Sequence, residues 1–503
     1  MNLLAILNKY RIDIFTWSSF IVLYFATRLY NIMSLPIFTD EAIYTRWSQI
    51  ARFDPNWRFI SLTDGKQPSF VWLDMVVMRF TQDPLLAGRL VSVSAGFATM
   101  IGLYFLGRTL FNKKVGLIAS LLYIFYPFAL VYDRMALYDS LVAMFYTWSL
   151  VFIIYLVKYI RLDIALILGM ILGGGVLTKT SGFLSIYLLP FSLFLFNFKE
   201  KKWKNNLLKW AGLALISVVL AYGYYSILRL SPFLHIIDEK NTTFVYSFSE
   251  WLSHPFNFVQ GNMRGLLDWA VTYLTAPLVL LIFASFFAFR KSLKEKLFLF
   301  AFFIVPLLGL ALFGRVLYPR FILFMTMPLL VLAAFSLDNI LQRVKTNIAK
   351  TLVIAAILFL FLRADFFILT DFKNAPIPYR DLEQYINGWP AGGGINKIIE
   401  ILENEAKNGK IYVASLGTFG SLPTYSVEIY LGENKNIEKE GIYPVPSEIP
   451  QSLLEKTKTM PVFLFVSNQQ EFEEQIKTWP ISLLAEYEKG IGKSYSRLYR
   501  VTP

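Results

Sequence analysis

The chain has 503 residues, 56% of them hydrophobic, with a mean hydropathy of +0.50; ordinary soluble domains run nearer ~45–50% apolar. Cysteine is absent, which excludes disulfides, thiolate chemistry and Cys-based metal sites; with only His235 and His254 as histidines, the sequence argues against a His-rich metal centre or a Ser-His-Asp triad. The formal charge of +13 does not indicate nucleic acid, because the cations gather in short loops between apolar runs, where they set membrane orientation.

Those runs are roughly 18–24 residues long, enough to cross ~30 Å of hydrocarbon as a helix. In chain order they predict about eleven spans, near 14–33, 85–107, 115–131, 141–157, 164–177, 183–198, 207–228, 271–289, 297–313, 321–337 and 351–369. The first follows Lys9 and Arg11 without a small-residue cleavage site and reads as a retained span. With a cytoplasmic N-terminus, alternate loops carry Arg108/Lys113/Lys114, Lys158/Arg161, Lys199–Lys209, Arg290–Lys296 and Arg343–Lys350. The opposite short loops hold chiefly Arg134, Lys179, Arg315 and Arg320. Positive-inside asymmetry and an odd span number then put the C-terminal domain outside, extracellular or periplasmic.

Residues 1–370 are therefore expected to form an all-α polytopic membrane bundle with long external loops at 34–84 and 229–270. Residues 371–503 lose the apolar runs and read as an external soluble α/β domain. A helix is expected over 394–408, buried strands over 410–415 and 462–467, and further strands over 481–488 and 495–501. The sequon at Asn241 is too short a pattern to carry function.

Chemistry-bearing residues concentrate on the outer face. Asp40 and Glu41, with Tyr44, follow the first span; they suit either a solvated acidic turn or a helix start capped by Asp40 or Thr39, or a catalytic pair. Lys66 and Gln67 sit in a Gly65/Pro68 turn. Asp133, Arg134 and Asp139 precede the fourth span, as an ion pair at a helix end or as part of a site. Lys179 stands at the end of the fifth span, where snorkelling would also account for it. Arg315 and Arg320 flank a short turn as interfacial anchors or anion ligands. Together they make a constellation of carboxylates and cations at one face. Such a constellation suits transfer from an anionic lipid-linked donor, the cations holding phosphate and a carboxylate removing a hydroxyl proton.

These motifs resemble the GT-C superfamily of polyprenyl-phosphate-sugar-dependent glycosyltransferases, in particular the protein O-mannosyltransferases and the lipid A aminoarabinose transferases. The resemblance rests on Asp40-Glu41-x-x-Tyr44, on Lys66-Gln67-Pro68 where the family often has Lys-Pro-Pro, on Gly88-Arg89-Leu90-x-Ser92, and on Leu106-Gly107-Arg108-x-Leu110-Phe111. It continues in Arg134-x4-Asp139, Gly174-Gly175-x-Leu177-Thr178-Lys179, Arg320-Phe321-x-Leu323 with Pro328 downstream, and Gly388-Trp389-Pro390-Ala391-Gly392. It implies the GT-C fold and an inverting transferase with Asp40 as base, Glu41 shaping the same pocket and Asp139 as a second acid. Lys66, Arg134, Lys179 and Arg320 would face the donor phosphate, and Tyr44 and Gln67 the substrate pocket. The implied partners are a polyprenyl-phosphate-linked hexose or pentose, membrane lipids and an acceptor protein, lipid or cell-envelope glycan, with no nucleic acid. No cofactor is required, although paired carboxylates also have the chemistry to hold Mg²⁺ or Mn²⁺. A lipid-carrier transporter or flippase and an inactive glycan-binding scaffold are the alternative readings; matching halves of the kind that build transporters are not evident.

Overall fold

The computed structural model describes residues 3–418, 420–467, 476–491 and 494–502. Among these, eight helices are long and apolar enough to cross a membrane: Tyr10–Leu29, Pro84–Leu110, Tyr138–Tyr159, Trp203–Leu230, Val259–Phe287, Leu293–Phe313, Pro319–Arg343 and Asn347–Thr370. The three other expected spans correspond to shorter or broken helices. Leu162–Thr178 is a single apolar helix of 17 residues. The 115–131 run divides into Lys113–Ile124 and Pro127–Tyr132, because Pro127 cannot continue the preceding helix. The 183–198 run divides into Phe183–Tyr187 and the 3₁₀ segment Leu189–Leu195, with Pro190 near the break.

The chain forms two compact units. The first contains residues 1–30, 59–70 and 89–370; the second contains 31–58, 71–88 and 371–503. The first long loop is thus divided between them.

In the first unit Pro319–Arg343 is the central helix, with 94% of its most apolar stretch buried. It packs against Lys113–Ile124, Tyr138–Tyr159, Val259–Phe287 and Leu293–Phe313. Peripheral helices keep large apolar side chains outward, such as Leu280 and Phe287, as lipid-facing surfaces require. Lys296 belongs to this core and not to a solvated loop: it is fully buried, and its ammonium donates to the Ser285 and Phe289 carbonyls (both 2.6 Å), capping the end of the preceding helix.

The second unit is built on a five-stranded sheet, β1 (Ile411–Leu416), β2 (Ile437–Ile442), β3 (Val462–Ser467), β4 (Ile481–Glu488) and β5 (Tyr495–Val501), in the order β2-β1-β3-β5-β4. β1 pairs in parallel with β2 and β3, and β5 is antiparallel to both β3 and β4. β1 and β3 are buried along their whole length, as expected of central strands covered on both faces. The expected 394–408 helix is Ile395–Lys407, which buries Ile395, Ile398, Ile399, Leu402 and Ala406. The helix Leu422–Leu431 packs on β1, β2 and β3, and also on Thr39–Phe53 from the first loop. That packing includes an Arg46–Glu428 ion pair (2.7 Å) and a Gln49 bond to the Ile429 carbonyl (3.1 Å).

Candidate active site

In the second unit Phe38 is extended and the chain turns into the helix Thr39–Phe53, with Asp40 and Glu41 in its first turn, where the helix dipole favours negative charge. Glu41 is fully buried and its carboxylate accepts the Phe38 N–H (3.0 Å). The helix is capped at Phe38, so neither Asp40 nor Thr39 fills the capping role expected of it, and Glu41 at the third helical position closes the first turn. Asp40 is partly exposed and shares a helix face with Tyr44 four residues on. Tyr44 is buried beside Trp47, with ring centroids 5.7 Å apart.

In the first unit the short helix Ile60–Asp64 ends at Gly65 in a left-handed conformation (φ +64°). A Cβ there would stand 2.6 Å from the Ile236 carbonyl oxygen and from Lys240 Cβ, so glycine is needed both for the turn and for the close approach. Lys240 locks the turn by pairing with Asp64. Gln67 is then held inward: its amide donates to Thr180 Oγ1 (3.0 Å), and Thr180 donates to Asn241 Oδ1 (3.3 Å). The Lys66 ammonium stands 5.1 Å from the centre of the Phe244 ring.

Lys179 lies where Leu162–Thr178 stops and the chain doubles back. Gly182 makes that reversal possible, because a Cβ on it would meet the Gly175 carbonyl oxygen at 2.2 Å. Gly174 packs flat on Phe145 in the same way. The Lys179 ammonium pairs with Asp139 Oδ1 at 2.8 Å; the Asp139 side chain is 6% exposed and that of Lys179 is 27%. The same ammonium sits 4.8 Å from the Phe321 ring centre, and the buried Arg320 guanidinium lies 5.9 Å from that ring and 5.4 Å from Tyr318. Lys66, Gln67, Asp139, Lys179 and Arg320 therefore form one neighbourhood, joined through Thr180 and Phe321.

Arg134 is buried and donates to the Thr27 carbonyl (3.0 Å). Burial first, and then the guanidiniums of Arg89 and Arg28, draw it down to about 10. Asp133, from the same stretch, pairs with Arg28 (3.3 Å, both side chains fully buried) and accepts from Ser140 (2.8 Å) and Tyr123. Arg28 escaped the sequence reading, although an arginine inside an apolar run was its signal. Thr180 and Asn241 carried no signal beyond lying next to named motifs.

Among the described residues no group of three or more His, Asp or Glu side chains is placed to hold a metal ion.

The long apolar helices define a multi-pass membrane protein, and its motifs resemble those of the polyprenyl-phosphate-sugar-dependent glycosyltransferases of GT-C architecture. Residues 66–225 match the family model described as dolichyl-phosphate-mannose-protein mannosyltransferase. That stretch contains Lys66, Gln67, Arg134, Asp139 and Lys179. The whole chain superposes on ArnT from Cupriavidus metallidurans in the apo state (TM-score 0.60, 12% identity, 99% of this chain and 100% of that one). It matches the same protein bound to undecaprenyl phosphate with a TM-score of 0.62, 12% identity and coverage of 98% and 99%. The archaeal oligosaccharyltransferase AglB from Archaeoglobus fulgidus, in complex with an inhibitory peptide and a dolichol-phosphate, matches with a TM-score of 0.56 and 13% identity, over 95% of this chain and 73% of that one. None of the curated proteins matches by sequence.

Proposed function

We propose that this protein transfers a sugar from a polyprenyl-phosphate-linked donor to an acceptor hydroxyl on the outer face of the membrane, with inversion at the anomeric carbon. The observation that carries the reading is the Asp139–Lys179 pair (2.8 Å), set among Lys66, Gln67 and Arg320 in a chain of GT-C architecture. The acceptor oxygen bonds to the anomeric carbon as the bond from that carbon to the phosphate oxygen breaks. The electron pair leaves with the phosphate, and the hydroxyl proton passes to Asp40. The leaving phosphate gains negative charge during the step, so Lys179, Lys66 and Arg320 stabilise the transition state more than the bound donor. An anion near Arg134 would likewise offset the repulsion among its neighbouring guanidiniums.

In this scheme Asp139 orients Lys179, Glu41 holds the start of the helix that carries Asp40, and Gln67 and Tyr44 shape the pocket. Phosphate is a good leaving group, so a second carboxylic acid is dispensable, unlike in glycoside hydrolysis. The scheme also needs no metal, and Mg²⁺ or Mn²⁺ at the carboxylates is the alternative. The undecaprenyl phosphate and dolichol-phosphate in the matched structures support a long-chain polyprenyl phosphate carrier. The reading keeps eleven crossings, a cytoplasmic N-terminus, a catalytic membrane region over 1–370 and an external domain over 371–503.

The test is transfer of radiolabelled sugar by detergent-purified protein from a panel of polyprenyl-phosphate pentoses, hexoses and modified hexoses. Asp40→Asn should slow transfer from the accepted donor by on the order of 10²–10⁴. Equal rates would remove Asp40 as base and turn attention to Glu41 or Asp139. Silence of the wild type, with protein, lipid and glycan acceptors supplied, would favour transport or scaffolding.

A further inference from the structure

The Gly388–Gly392 motif and the glycines after it have no part in the chemistry above, yet their geometry is unusually constrained. A Cβ on Gly388 would lie 2.6 Å from the Glu383 carbonyl oxygen, on Gly392 2.3 Å from the Ile37 carbonyl oxygen, and on Gly393 3.1 Å from Lys489 Cα. Gly394 is left-handed (φ +83°), and a Cβ there would meet Tyr487 Cβ at 2.3 Å. At these four positions no side chain fits without moving a neighbour.

Its contacts run to the residue before Asp40. The Pro390 carbonyl accepts both the backbone N–H of Thr39 (3.0 Å) and its hydroxyl (2.9 Å). Phe38 and Ala391 form an isolated antiparallel bridge, and the Phe38 ring meets Tyr385 edge-on with centroids 4.9 Å apart. From the other side, the fully buried Lys489 donates to the Trp389 carbonyl (3.2 Å) and to Ser467 Oγ at the end of β3 (2.7 Å). Asn387 accepts the Ile491 N–H (2.8 Å). The sheet, Lys489, residues 388–394 and Thr39 thus form one hydrogen-bonded line ending at the first turn of the helix Thr39–Phe53.

We propose that the 388–394 segment, with Thr39 and Lys489 as positioning residues, is a brace by which the C-terminal domain fixes the helix start that presents Asp40. This assigns the domain a part in catalysis without placing any reacting group in it. The catalytic half of the inference rests on the assignment of Asp40 as base; the brace itself does not.

Two readouts separate the halves. Hydrogen–deuterium exchange of the full-length protein in detergent should show amides 38–44 exchanging roughly three- to tenfold faster in Thr39→Val and in Lys489→Met. β1 should stay as protected as in the wild type, and Thr39→Ser should restore wild-type exchange. In sugar transfer, Thr39→Val should lower kcat by a similar factor with the donor KM unchanged, and Thr39→Ser should recover it. Unchanged exchange over 38–44 in both variants would overturn the brace. Faster exchange with undiminished kcat would overturn its positioning of the base. Full turnover by Asp40→Asn would sink the base assignment instead, while the exchange result would still decide whether the brace exists.

Discussion

Lys179 and Asp139 are unequal partners: the acid is almost wholly buried and the lysine side chain keeps about a quarter of its surface. An ion pair of that kind holds the cation in place while leaving it able to meet a ligand. If its purpose is to aim Lys179 at the leaving phosphate, the two residues act as one unit. Asp139→Asn and Lys179→Gln should then each slow transfer by on the order of 10²–10³, and the double variant should be little slower than the worse single one. Initial rates with one accepted donor test this, and multiplicative losses would mean independent roles. Lys489 permits a test that needs no substrate. Burial draws its ammonium down to about 7, whereas the unfolded chain titrates near ~10.4. Between those values the unfolded state binds more protons, so stability rises with pH; the penalty is full below about 7 and gone above about 10.4. Unfolding midpoints of the wild type should therefore climb between pH 7 and 10 by the equivalent of a few kcal/mol. Subtracting the Lys489→Met profile, which lacks this titration, should isolate that climb; parallel profiles would remove the assignment.

Secondary-structure elements differ in how much of themselves they display in sequence. The long apolar helices and the two central strands were legible because length and unbroken apolarity are local properties. β2 was not: its middle is Glu438-Lys439-Glu440, with only Ile437 and Ile442 buried. Such a strand depends on parallel pairing with β1 and on its edge position, neither of which a local pattern encodes. The helix Leu422–Leu431, interrupted by Thr424, Tyr425 and Ser426, carries little periodic signal for the same reason. In the 183–198 run, apolarity gave the extent but not the 3₁₀ geometry around Pro190. At the site, residue type and position singled out Lys66, Asp139 and Lys179. Their partners were hidden because contacts such as Gln67–Thr180 and Arg28–Asp133 join residues more than a hundred apart in the chain. Glycines tell the same story. Gly212 and Gly309 lie within helices where an added Cβ would meet nothing within 4 Å, while Gly182 and Gly392 are hemmed in by backbone, and the sequence does not distinguish the two kinds.

At the scale of the whole molecule, the proposed chemistry requires the C-terminal domain and the outer loops to share one side of the membrane. The argument for that side is the run of cations at 199–209, 290–296 and 343–350, which hold a loop on the cytoplasmic face. Burial of Lys296 removes one of them from the tally without changing its sign. Between Lys201 and Lys435 lie the helices Trp203–Leu230, Val259–Phe287, Leu293–Phe313, Pro319–Arg343 and Asn347–Thr370, each long enough to cross. In the proposed topology all five cross, which would put these two lysines on opposite faces whatever the broken segment at 180–195 does; Lys294 follows two of those helices and would return to the side of Lys201. Because this sequence has no cysteine, single cysteines placed at these exposed positions report without background. In intact cells a membrane-impermeant maleimide should label Lys435→Cys, whereas Lys201→Cys and Lys294→Cys should react only after permeabilisation. The inverse pattern would put the domain and its brace in the cytoplasm, and acceptor hydroxyls would then have to be sought there. Labelling of Lys201→Cys and Lys435→Cys from the same side would mean that one of the five helices does not cross, and the odd-span topology would fall with it.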